Sequence, residues 1–300
     1  MKTSYFLNEL QAREFLTNWN NSIIQRCGRA WKSEFVPTKW GKTHVLHLHA
    51  EQEHLPALII FPGARTSGLV WELDNAMEKI KNHRIFLIDV NGQPTLSDGN
   101  CPDMKKGELG EWASQVMDAL HLEQAHIAGA SFGGLISLQL AVHSAKKVQS
   151  IALLNPAGLA SFSMKPKNMF QNLRPLLTKK RRHVESFIQS IVLHAPEHQL
   201  ENEAFQKLAD YQHYVILHHR FKGDYPARQP DQLLKGIQQP CLLLLGENDP
   251  LFPWQKSKKR AEKHFTKKPV VQILPGIAHG IETLPLALEL VNDWINNPEK

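Results

Sequence analysis

HIAGASFGGL, residues His126 to Leu135, crowds small residues directly behind an apolar run. Glycine is costly inside a strand or a helix, so the cluster marks a tight turn. Ser131 stands at its centre in a G-x-S-x-G pattern, Gly129-Ala-Ser131-Phe-Gly133. The run AHIAGA before it reads as a strand, and GGLISLQLAV after it reads as a helix. In that setting a serine hydroxyl projects from a sharp strand-to-helix turn. Gly129 and Gly133 let neighbouring backbone crowd together, and the first N–H groups of the helix favour negative charge at the same point. Ser131 is therefore the candidate nucleophile.

Working outward from this turn, strand and helix patterns alternate. SEFVPT and THVLHLHA read as strands joined by the turn KWGK, and ALIIF, RIFLIDV and VQSIALLNPAG as further strands. GELGEWASQVMDALHL reads as a helix. After a gap the alternation resumes with strand CLLLLGEND, helix WQKSKKRAEKHF, strand VVQILPG and helix LPLALELVNDWIN. Such alternation predicts an α/β fold with a mostly parallel central sheet flanked by helices. The intervening residues 159–235 carry helical patterns without strand runs, clearest in VESFIQSIVLHA and EAFQKLADYQHYVILHHRF. They read as an inserted helical cap over the sheet edge. Residues 1–30 read as an N-terminal helical segment, with Phe6, Leu7, Leu10, Phe15, Leu16, Trp19 and Ile23 on its apolar face. The core then comprises residues 31–158 and 236–300.

The chain has 300 residues, 42% of them hydrophobic and 21% charged, which suits a globular protein. No run approaches the ~20 apolar residues of a membrane span. The start shows no signal core, and the three cysteines, Cys27, Cys101 and Cys241, are odd in number and far apart. None lies in a C-x-x-C arrangement, and the expectation is a reducing, cytoplasmic setting with free thiols. The net charge of +6 is partly local, in the adjacent Lys179, Lys180, Arg181 and Arg182. Such a cluster attracts anions, acidic lipid or nucleic acid, but no nucleic-acid motif accompanies it, and a solvated helix start is the commoner explanation.

A serine hydroxyl needs a base, and the base an orienting acid. On this architecture the order along the chain is serine, acid, histidine. Asp249 follows the strand CLLLL, and Pro250 behind it favours a turn. His279 follows the last strand, flanked by Gly276 and Gly280. Both loops lie at strand C-termini, where open parallel sheets build their sites. Glu247 competes with Asp249 for the acid, followed by Asp224 and Glu282. An attacked ester carbonyl becomes an oxyanion that backbone N–H groups must stabilise. Phe132, next to the nucleophile, and Ala64, in the loop Phe61-Pro-Gly-Ala-Arg65, are the expected donors.

With these residues assembled, the chain from about Lys32 to Trp294 resembles the α/β-hydrolase family. WGKTHVL from Trp40, FPGA from Phe61 and DVNGQPTLS from Asp89 are similar to a branch of bacterial carboxylesterases with a helical cap. The resemblance implies hydrolysis of small-molecule esters by a Ser131–His279–Asp249 triad, with no cofactor. Two positions depart from common family members: Pro62 where many carry histidine, and Ala130 where many carry histidine or glutamine. A third, Asn155, stands where some relatives place their acid, which favours Asp249. The same triad also suits carbon–carbon bond or thioester hydrolysis, and the same fold serves as a non-catalytic ligand receptor. Within the cap, Phe162, Met164, Met169 and Phe170 offer an apolar lining or simple packing.

Overall fold

Runs in which nearly every residue is apolar suit strands buried on both faces. In the computed structural model, which describes residues 5–220 and 226–298, these runs join one sheet of eight strands. In chain order the elements are α1 (Glu9–Cys27), β1 (Lys32–Thr38), β2 (Gly41–Leu48), β3 (Ala57–Phe61), β4 (Arg84–Ile88), α2 (Glu108–Ala119), β5 (Ala125–Ala130), α3 (Phe132–His143) and β6 (Val148–Leu154). There follow α4 (Pro166–Thr178), α5 (Arg181–Phe187), α6 (Asn202–His218), α7 (Asp231–Leu234), β7 (Cys241–Gly246), α8 (Trp254–His264), β8 (Val270–Leu274) and α9 (Pro285–Asn296). The strand order is β1-β2-β4-β3-β5-β6-β7-β8. β2 pairs antiparallel with β1 and with β4; from β4 through β8 every pairing is parallel.

Side chains alternate across a strand, so each central strand feeds two cores. Leu58 and Ile60 of β3 face one layer with Leu16 and Trp19 of α1 and Leu288 of α9. Ile59 and Phe61 face the other, with Trp112 of α2 and Leu135 of α3. The C-terminal ends of β3, β5, β6, β7 and β8 thus emerge side by side from a sheet braced on both faces.

Two local readings are corrected, and one stretch left without a reading proves structured. The apolar face of α1 holds for Leu16, Trp19 and Ile23, but Leu7 and Leu10 are 60% and 81% exposed. The helix begins only at Glu9, capped by the Asn8 side chain, which accepts from Gln11 N–H at 3.1 Å. The residues before it form a strap instead: Leu7 N–H donates to His218 O at 2.9 Å, and Arg220 N–H to Tyr5 O at 2.6 Å. Next, VESFIQSIVLHA is not one α-helix; α5 widens into a π-turn over Ile188–Val192. The carbonyls of Ile191 and Val192 are then free to accept from His279 N–H and Gly280 N–H, at 3.1 and 2.8 Å. Lastly, Gly68–Lys79 forms a tight 3-10 segment kinked at Leu73–Asn75. Asp74 and Asn75 take positive φ of 55° and 56° there, a conformation their short polar side chains tolerate.

Between β6 and β7 the chain leaves the sheet, and one side chain holds the base of that excursion. Arg260 of α8 is 9% exposed. Its guanidinium donates to the carbonyls of Gly158 and Leu159 at 3.1 and 2.8 Å, to the Gln229 carbonyl, and to Asp231 Oδ1 at 2.5 Å. Gln229 N–H also donates to Gly158 O at 2.8 Å.

Candidate active site

β5 runs straight into α3 through Ser131, whose φ of 51° and ψ of −112° make the turn sharp. The two glycines leave room for it. A Cβ on Gly133 would lie 1.9 Å from Phe61 O, and one on Gly129 would lie 2.3 Å from Gly133 O. Ser131 N–H donates to Leu154 O at 3.0 Å, which pins the turn to the end of β6.

The three loops named from the sequence meet at this point. Ser131 Oγ lies 2.9 Å from His279 Nε2, and His279 Nδ1 lies 2.9 Å from Asp249 Oδ2. The Asp249 side chain is fully buried. Its other oxygen accepts from Leu251 N–H at 2.7 Å and Phe252 N–H at 3.2 Å, so the carboxylate is held in one orientation. Burial pulls the His279 pKa down, but the charge and hydrogen bond of Asp249, aided by Glu282, outweigh it and set it above the ordinary 6.5.

The rival acids stand elsewhere. Glu247 is exposed and accepts from Gly276 N–H at 3.2 Å. Glu282 is 7% exposed and lines the same cavity as His279, with its carboxylate beside Gly63. Burial raises its pKa above 4.5. Asp224 lies outside the described residues.

The loop expected to stabilise an oxyanion follows β3. Arg65 takes a φ of 63°, with its N–H donating to Gln93 Oε1 at 2.9 Å, and Thr66 Oγ1 donates to Gly63 O at 2.7 Å. Among the described residues, neither Ala64 N–H nor Phe132 N–H has a protein acceptor. Ala64 and Ser131 border one cavity of about 200 Å³. Phe162, Phe187, Ile188 and Leu251 give it apolar walls, and Glu282 and Gln212 are among its polar groups. Of the cap side chains expected there, Phe162 takes part, whereas Met164 and Phe170 are 70% and 64% exposed and point outward. Phe170 sits on α4, whose opposite side lines the cavity, and Met164 lies just ahead of that helix.

Asn155 was legible only as an absence of acid. In the structure it takes a φ of 42° and binds three backbone groups. Its Nδ2 donates to Ala278 O at 2.8 Å and His279 O at 3.1 Å, while its Oδ1 accepts from Gly246 N–H at 2.7 Å. One amide thus fixes the loops of both His279 and Asp249. An asparagine directly past a central strand, a residue type that tolerates positive φ, is the one sequence signal for it.

Among the described residues no group of three His, Cys, Asp or Glu could hold a metal ion, and no helix is long and apolar enough to cross a membrane.

Known proteins share this plan. Carboxylesterase YbfK of Bacillus subtilis (strain 168) is 27% identical over 228 residues, 76% of this chain and 75% of that protein. The 2-hydroxymuconate semialdehyde hydrolase of Pseudomonas sp. (strain CF600) is 28% identical over 230 residues, 72% of this chain and 78% of that one. The crystal structure of carboxylesterase CesB (YbfK) from Bacillus subtilis superposes with a TM-score of 0.77, covering 95% of this chain and 97% of that chain at 22% identity, a likeness of fold. The family model of the alpha/beta hydrolase fold matches residues 56–276, which run from β3 into the start of the loop behind β8. Both the match and the sheet order place the chain in one group: it belongs to the alpha/beta hydrolase fold family.

Proposed function

We propose that the protein is a serine hydrolase that cleaves carboxylic esters of small molecules through an acyl-enzyme. The pair of 2.9 Å contacts from Ser131 through His279 to Asp249 carries this reading. His279 takes the Ser131 proton as Oγ attacks the ester carbonyl, and Asp249 holds the imidazole in its working tautomer. The resulting imidazolium protonates the leaving alcohol as the C–O bond breaks. Water, deprotonated in turn by His279, then releases the acid and restores Ser131. Ala64 N–H and Phe132 N–H are the proposed oxyanion donors, and residues 159–235 the proposed cap. The route uses no cofactor. The carboxylesterase relative supports the choice of bond.

The test is Ser131→Ala. Turnover of p-nitrophenyl esters should fall by about 10⁶-fold, and labelling by a fluorophosphonate probe should vanish. Near-full hydrolysis by this variant would sink the mechanism. A wild type that neither turns over nor labels would point to a receptor. The relative that acts as a 2-hydroxymuconate semialdehyde hydrolase motivates a second reading, carbon–carbon hydrolysis by the same triad. Comparing short esters, acyl-thioesters and ring-cleavage products separates the readings, with esters expected to give the highest kcat/KM.

A further inference from the structure

Helix α4 has two unlike sides. Asn172, Pro175 and Leu176 line the cavity that holds Ser131. Away from it lie Lys167, Phe170, Arg174 and Leu177, spaced three, four and three residues apart, which makes a single stripe along the helix. Phe170 and Leu177 are 64% and 79% exposed, and Met164, just ahead of the helix, is 70% exposed. The Arg174 guanidinium lies 5.7 Å from the centre of the Phe170 ring. Lys165 precedes the stripe; Lys179, Lys180 and Arg182 follow it, all exposed.

These cations are not balanced locally. No carboxylate occurs from Ser161 to Val184. Arg181 pairs with Glu185 and Asp210, but among the described residues Lys165, Lys167, Arg174, Lys179, Lys180 and Arg182 make no ion pair. His183 feels the resulting field: burial first, and then Arg174, Arg182 and Lys180, hold its pKa below the ordinary imidazole value.

Two unfavourable features therefore share one face, apolar side chains kept in water and cations kept close together. A nucleic acid would neutralise the cations but offer Leu177 and Met164 no hydrocarbon. A neutral apolar groove would do the reverse. A surface with anionic headgroups above acyl chains satisfies both, as for other basic, amphipathic helices. We propose that this face of α4 docks on an anionic phospholipid bilayer, with Phe170, Leu177 and Met164 entering the headgroup boundary and the six cations meeting the lipid phosphates. Docking would hold the Ser131 cavity about one helix diameter, ~10 Å, from the lipid.

The test is co-sedimentation of the full chain with vesicles of phosphatidylcholine alone or mixed with phosphatidylglycerol. Binding is expected to the mixed vesicles, to weaken with added salt, and to be slight on phosphatidylcholine. Lys179→Ala, Lys180→Ala and Arg182→Ala together should lower partitioning on the order of a hundredfold, at roughly fivefold per cation. Phe170→Ser with Leu177→Ser should cost at least about tenfold more. Far-UV circular dichroism and the melting temperature verify that each variant folds. Equal binding to both vesicle types, or undiminished binding by the folded variants, would overturn the proposal. So would capture of a polyanionic RNA without capture of vesicles. Ser131→Ala should bind vesicles like the wild type, so this result stands apart from the esterase reading.

Discussion

At the scale of single residues, the site depends on side chains that orient other side chains. Asn155 satisfies Gly246 N–H and ties down the carbonyls of Ala278 and His279. Asn155→Ala should leave Gly246 N–H unpaired, costing about 1–3 kcal/mol of stability. By letting His279 drift, it should also lower kcat by up to about 10²-fold, with KM changing far less. Urea denaturation and steady-state kinetics on one preparation check both effects. In the proposed mechanism His279 acts as a base only when neutral, and its pKa lies above 6.5. The acid limb of kcat/KM should therefore lie above pH 6.5, with activity lost as pH falls through it. Glu282→Gln removes one of the charges that raise it, so the limb should move down; a pH–rate profile of the variant reads this directly. The meeting of Ser131, Asp249 and His279 was legible because the proposed chemistry demands those residue types at strand ends. Asn155 was not, because all its partners are backbone groups brought from other loops. Glu282 could be weighed only as a rival acid, since nothing in its spacing says on which side of the imidazole it falls.

At the scale of elements, the excursion between β6 and β7 is gathered by Arg260. Arg260→Ala leaves the carbonyls of Leu159 and Gln229 short of a donor inside the protein, a loss of at least about 2 kcal/mol, while Gly158 O keeps the Gln229 N–H. A lower melting temperature and faster proteolytic cleavage within residues 159–235 are the expected outcomes; an unchanged cleavage pattern would show that the clasp does not hold the segment. The strands were readable because buried parallel strands are unbroken apolar runs. The 3-10 segment Gly68–Lys79 was not, since Asp74 and Asn75 reverse the chain inside it and spoil the helical period. The π-turn after α5 escaped for a related reason: its apolar residues fit a helix, and only the N–H groups of the His279 loop explain why it widens.

Across the whole molecule, stability should depend on pH through imidazoles that take no part in the site. His126, His198 and His219 are buried, and burial is the first cause that lowers each pKa to about 4. Each favours the folded state above pH 6.5, where the unfolded chain is also neutral. That advantage is lost as pH falls from 6.5 toward 4, because the unfolded chain takes up the protons first. Each contributes a slope of up to about 1.4 kcal/mol per pH unit. Chemical denaturation at a series of pH values checks this; a flat stability curve from pH 6.5 to 4 would contradict it. The outer surface was the least legible level. Met164 and Phe170 stayed open between lining and packing, because a sequence does not say which side of a segment meets the cavity until the packing around α4 is known. The strap at the N-terminal end adds a practical consequence. Tyr5 and Leu7 are stitched to the end of α6, and Tyr5 borders a second cavity that shares Ala64 and Arg65 with the first. A purification handle fused at this end therefore pulls on the chamber's own fastening. Preparations tagged at opposite ends should differ in substrate preference even though the handle lies outside every reacting group.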